Sequence, residues 1–176
     1  MKPQNLKIVQ NHKNELPCNI EAEQALIGSI LVSNDIYDEI STIVEVKKFF
    51  DPMHAKIFET IETLIAKGLL ANPITLKNYF ENHDGLKEIG GQEYLVNVTK
   101  FSTSTKQAID YAKIIHETHV RRELVKISQS VLDNASNAEL ETSSENLIED
   151  AEKLLFELSY GEFSHSINTL IRSKIS

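Results

Sequence analysis

Few side chains in this sequence stand at spacings that could do chemistry. His116 and His119 lie three residues apart with Glu117 between them, and on a helix that spacing puts two imidazoles on one face, where they could hold a divalent metal. No cysteine and no further His–Glu block is near enough to complete such a ligand set, so the pair reads better as surface histidines. His54 falls in the first turn after Asp51-Pro52, where a bond to a neighbouring backbone group is expected. The hydroxyl run Ser102-Thr103-Ser104-Thr105 reads as capping chemistry before a helix. Glu21 and Glu23 suit a helix start, and an exposed Glu21 could also serve a partner. Cys18 is the only cysteine and sits beside Pro17 as a spectator thiol. Nucleophile, base and orienting group cannot be assembled from neighbouring positions, so the sequence offers no catalytic, cofactor-binding or metal-ligating residue. A phosphate-cradling loop would read G-x-x-x-x-G-K followed by Ser or Thr. None of the six glycines, at 28, 68, 85, 90, 91 and 161, opens one.

Composition narrows the classes further. With 41% hydrophobic and 25% charged residues, 176 residues are enough for one globular unit with an appendage. A single cysteine excludes an intramolecular disulfide and fits a reducing compartment. The first ten residues contain no apolar run, so neither a signal peptide nor a membrane span is expected, and the reading is a cytoplasmic protein. Net charge is -8, and both 19–102 and 104–160 carry more acids than bases. Such a surface repels a phosphate backbone, so protein partners are expected and tight direct DNA binding is not. Arg121-Arg122, the only adjacent arginine pair, reads as a solvated helix face.

The elements that would position these groups are helices throughout. Residues 1–18 are polar and aperiodic, a flexible arm. Asn19 caps a first helix whose mid-helix Gly28 implies a second helix crossing close by. A short helix is expected from about Asp35 to Val44, burying Ile36, Tyr37, Ile40 and Val44. Asp51-Pro52 starts a helix that Gly68 stops, and Asn72-Pro73 starts another, carrying Leu76, Tyr79 and Phe80 and ending at His83-Asp84-Gly85. Gly90-Gly91 precedes a last short helix with Tyr94, Leu95 and Val98.

From Thr105 to Ala135 the pattern is one long helix without Gly or Pro. At about 100° per residue, Ile109, Val120, Leu124, Ile127 and Val131 share a face, while Ile114, Val125 and Leu132 share another. After a polar turn, Leu147, Ala151, Leu154 and Leu158 recur at helical spacing, so the first face closes an antiparallel hairpin. The second face, Ile114, Val125 and Leu132, needs a cover: the head could supply it for part of the face, and the distal part is left for another chain. Gly161 ends the hairpin, and Phe163 to Ser176 begins a further amphipathic helix through Ile167, Leu170, Ile171 and Ile175. The expected fold class is therefore all-α: a multi-helix head at 19–103 and a long antiparallel helical hairpin at 104–160, with 161–176 read on its own as a frayed tail.

Several blocks together resemble the N-terminal domain of bacterial replicative DNA helicases of the DnaB type. They are Leu16-Pro17, Asn19 to Gly28, Phe49-Phe50, His54 to Phe58, Ile89 to Leu95, Tyr111 to Ile115, and Arg121-Arg122, in the family's order. Pro73-Ile74 and Ser102 to Thr105 depart from its usual pattern at two turns. The resemblance implies a homo-oligomer, from a dimer up to a hexameric ring, whose paired hairpins form a collar that recruits a DnaG-type primase. It implies that Glu21, Tyr94, Val125 and Val131 face the primase, although Val131 also belongs to the hairpin seam. It implies too that residues 161–176 are the start of a linker helix, which docks on a neighbouring subunit's motor domain, where ATP and magnesium would act. A stand-alone helical adaptor that dimerises through its hairpin is the competing class. An enzyme with a site inside the bundle is disfavoured by the lack of paired carboxylate and histidine motifs.

Overall fold

Polar side chains fix the helix starts in the computed structural model, which describes residues 15–81, 91–136 and 142–161 with their side chains and residues 137 and 162–175 as helical backbone. Asn19 Oδ1 accepts from Ala22 N at 2.9 Å and opens α1, Ile20–Val32. Asp51 Oδ1 accepts from Met53 N at 2.8 Å with Pro52 at the first position of α3, Pro52–Ala66. Asn72 Oδ1 accepts from Ile74 N and Thr75 N at the head of α4, Pro73–Glu81. Gly68 takes φ 72°, and Leu69 N reaches back to Leu64 O, which closes the end of α3. The expected helix over 35–44 is shorter: a 3-10 turn, Asn34–Ile36, runs into α2, Tyr37–Ile40, and stops. Ser41 and Thr42 hydroxyls donate to the carbonyls of Asp38 and Glu39, and a β-branched run follows, which favours leaving the helix there. A second 3-10 turn spans Val46–Lys48. The expected stop at His83-Asp84-Gly85 and the turn residue Leu140 lie outside the described residues, as do residues 1–14.

α5, Gly91–Thr99, crosses α1 at Gly28, where a Cβ would stand 2.2 Å from the carbonyl oxygen of Val98. The glycine is the residue that lets the two backbones meet. Around this crossing Leu26, Ile27, Ile30, Ile57, Phe58, Ile61, Leu76, Phe80 and Leu95 form one core. Ile36, Tyr37, Ile40 and Val44 join it, as the sequence predicts.

α6, Thr105–Asn137, is 33 residues and about 50 Å long. Its first turns lie in the head: Ala108, Ala112 and Ile115 belong to the same core, and His119 and Arg122 continue that buried strip. These positions form a third face that the two-face reading lacks, because alanine, histidine and arginine carry no apolar signature. α7, Ser144–Ile175, packs back along α6 and completes the hairpin. Val131 shares a cavity of about 150 Å³ with Leu147, Ala151 and Leu154, on the expected seam. The expected break at Gly161 is absent, for α7 runs through it without a positive φ. A glycine inside a helix costs about 1 kcal/mol relative to alanine, which the rest of a 32-residue helix outweighs. The tail residues Phe163, Ile167, Leu170, Ile171 and Ile175 lie on this helix with side chains outside the described residues. All regular structure among the described residues is helical, and none of these helices is long and apolar enough to cross a membrane.

Candidate docking site

The polar residues of interest are more deeply placed than the sequence suggests. Glu23 is buried, because its position on α1 faces inward beside Ala22 and Ile27. Its carboxylate accepts from Phe50 N at 2.5 Å and Asp51 N at 3.3 Å, so an acid of α1 sits on the positive N-terminal end of α3. His54 is fully buried, not bonded to nearby backbone as expected: Nδ1 meets Glu23 Oε2 at 2.7 Å and Nε2 meets the Tyr94 hydroxyl at 2.5 Å. Gln24 Nε2 donates to the same hydroxyl at 3.4 Å. One proton arrangement satisfies the chain: Nδ1–H donates to Glu23, and the phenol donates to Nε2 while accepting from Gln24. Burial, ahead of the nearby Asp51 and Glu23 charges, raises the Tyr94 pKa. A phenol held protonated is a donor and no nucleophile, so the carboxylate–imidazole–phenol series is a structural relay across α1, α3 and α5.

A second polar joint ties α6 to the head. Lys48 is buried, with Nζ 2.9 Å from His116 Nδ1 and 3.3 Å from Ile43 O. Arg122 is buried as well, donating to Pro17 O at 2.8 Å and Lys48 O at 2.7 Å, with its guanidinium over the Phe50 ring at 5.4 Å. Only Arg121 of the arginine pair is on the solvated face, paired with Glu117 at 3.0 Å. The carbonyl of Pro17 is thereby held, so the end of the expected arm is anchored: a buried guanidinium needs such acceptors. His116 and His119 are correspondingly not surface histidines, being half-buried and buried at this joint. Among the described residues no three His, Cys, Asp or Glu side chains gather as a metal site would require. Ser102 to Thr105 does cap: Ser104 Oγ accepts from Gln107 N, Thr103 Oγ1 meets Gln107 Oε1, and Thr103 N donates to Ser29 Oγ. The sequence offers no sign of which acids and cations face inward, beyond the placement of His54 one turn after a strong cap.

The candidate contact residues separate into two sets. Glu21 is exposed on α1, one turn before Gln24, which touches the half-buried Tyr94, so these two share one side of the head. Ile114, Val125 and Leu132 share one strip of α6, spanning about 27 Å along the helix axis. Ile114 is 37% and Leu132 58% exposed. Beside Ile114 runs an open groove of about 430 Å³, walled by Pro17, Cys18 and Arg121. Val131 stands apart in the seam, where the periodicity places it, and not with Tyr94.

Comparison with known proteins follows the same outline. Residues 15–117 match the family model for the DnaB-like helicase N terminal domain. The Rickettsia typhi replicative DNA helicase DnaB is 37% identical over 161 residues, covering 88% of this chain and 32% of that protein. The Bacillus subtilis replicative DNA helicase DnaC is 29% identical over 143 residues, 81% of this chain and 31% of that one. The chain thus spans about a third of the length of these relatives. In structure it is similar to the N-terminal domain of the DnaB helicase from Mycobacterium tuberculosis, with a TM-score of 0.73, 22% identity, and coverage of 81% of this chain and 99% of that chain. It is also similar to a DnaB-like replicative helicase solved for its interactions with primase, with a TM-score of 0.64, 23% identity, and coverage of 83% and 35%.

Proposed function

Because this chain belongs to the family of DnaB-like helicase N-terminal domains, we propose that it assembles subunits of a replicative helicase and presents a docking surface to the primase. The observation that carries this reading is the α6 strip of Ile114, Val125 and Leu132, in which Ile114 and Leu132 are exposed and Val125 is half-buried although the same helix is packed on its head face and its hairpin face. An apolar strip of that length on a folded unit marks a protein contact. Pairing of hairpins along it would build the collar of a ring, from dimer up to hexamer. The chain has no phosphate-cradling loop and is not itself the ATP-consuming part. In the full-length protein a motor domain would supply ATP-dependent unwinding, and residues 161–176 would lead toward it and dock on a neighbouring subunit.

Glu21 and Tyr94 on the head, with Val125 on α6, are the proposed primase-facing residues, and Val131 would act through the hairpin seam. Calorimetric titration against the C-terminal helicase-interacting domain of the cognate primase tests this. Tyr94→Ala and Val125→Ala should each weaken the complex, and Glu21→Ala should have a smaller effect that fades with salt. Binding should be weaker than for a full ring, which adds multivalency. Unchanged affinity in both the Tyr94 and Val125 variants would remove this surface.

A further inference from the structure

The relay behind Tyr94 decides how that side chain is offered to a partner. Its hydroxyl faces inward, committed to His54 Nε2 at 2.5 Å and Gln24 Nε2 at 3.4 Å, while its ring stacks on the His54 ring at a centroid distance of 6.1 Å and an interplanar angle of 22°. What remains for a partner is the apolar outer side of the ring. His54 in turn cannot swivel, because Nδ1 is bound to Glu23, and Glu23 is pinned by the Phe50 and Asp51 amides at the start of α3. A ring already half-buried against the core is therefore further fixed in its rotamer by two residues that are 0% and 2% exposed and cannot touch another protein.

We propose that Glu23 and His54 are positioning residues for Tyr94, fixing the orientation in which α5 presents its ring for docking. This rests on the docking reading above. Holding the ring in place before encounter spares the complex the cost of ordering it, so loosening the relay lowers affinity without removing any contact.

A double-mutant cycle on the folded chain, read as affinity for the helicase-interacting domain of the primase, is the test. His54→Gln and Tyr94→Phe should each lower affinity by about tenfold, and the double variant should lose no more than either alone. A structural role for His54 elsewhere in the core would instead give losses that multiply, which would overturn the proposal. Since His54→Gln could unfold the head, Tyr94→Phe is paired with ¹⁹F spectra of fluorotyrosine at position 94, compared in wild type and in Glu23→Gln. A single sharp environment that broadens or shifts in Glu23→Gln is expected, and an unmoved resonance overturns the relay. Wild-type affinity in Tyr94→Ala, or no binding by the wild-type chain, would defeat the docking reading and this role with it. Weak binding by Tyr94→Ala beside wild-type affinity in His54→Gln would defeat the positioning role alone.

Discussion

Tyrosine hydroxyls report the head's interior through pH. The Tyr37 phenol donates to Glu62 Oε1 at 3.1 Å, and burial together with the Glu62 charge raises its pKa well above the ordinary 10.0. Burial raises Tyr94 in the same direction. An acid whose folded pKa is raised holds its proton in the native state after the unfolded chain has released it, so its contribution is complete below pH 10.0 and is lost as pH climbs beyond that value. Urea midpoints measured from pH 8 upward should stay level at first and then fall above about pH 10. Tyr37→Phe should flatten that fall, and a slope identical to wild type would assign it to other groups. At this scale the sequence is least legible. Glu23 looks like any acid of a first helical turn, His54 like a side chain bonded to nearby backbone, and Lys48 and Arg122 like surface residues. Their burial depends on which carbonyls, amides and partner side chains a distant segment delivers, and periodicity carries no record of that. Gly28 is the exception, since a glycine inside a strong helix already asks for a close neighbour.

Helices were easier to place than their faces. Asn19, Asp51-Pro52 and Asn72-Pro73 begin helices because a short polar side chain before an apolar run has few other uses. The end of α2 and the passage of α7 through Gly161 were less legible, since hydroxyl back-bonding and a tolerated glycine depend on context. On α6 the apolar faces are readable except at Leu124, which is expected in the seam and is 41% exposed, and the strip from Ala108 to Arg122 that meets the head is not readable. The two readable faces make different predictions. Charges at Ile114 and Leu132, both exposed in the single chain, should leave helical content intact and shift the mass toward monomer in sedimentation across a concentration series. Unchanged mass would assign the strip to some other use. A charge at Val131, in the seam, should instead loosen the hairpin.

The described residues form one core with one long extension. Because Ala108, Ala112 and Ile115 lie in the head's core, a chain ended after Ser104 should lose cooperative unfolding in calorimetry, whereas one ended after Asn137 should keep most of the head's melting temperature. Equal melting of the two shortened chains would mean that α6 adds nothing to the head. The division between head and hairpin that the sequence suggests near residue 104 is thus a change of shape along the chain more than a change of core. α6 also sets a rule for length. It runs unbroken from the core to the hairpin tip, with its head, seam and open faces about 120° apart, so one residue inserted near Thr118 would rotate everything beyond it by about 100° and turn the wrong face to α7. Only gains or losses near whole numbers of turns, about seven or eleven residues, would return each face to its neighbour. Length in this helix should therefore change in steps, with each step moving the tip about 10 or 16 Å further from the head, while the loops between the short helices are free to change one residue at a time.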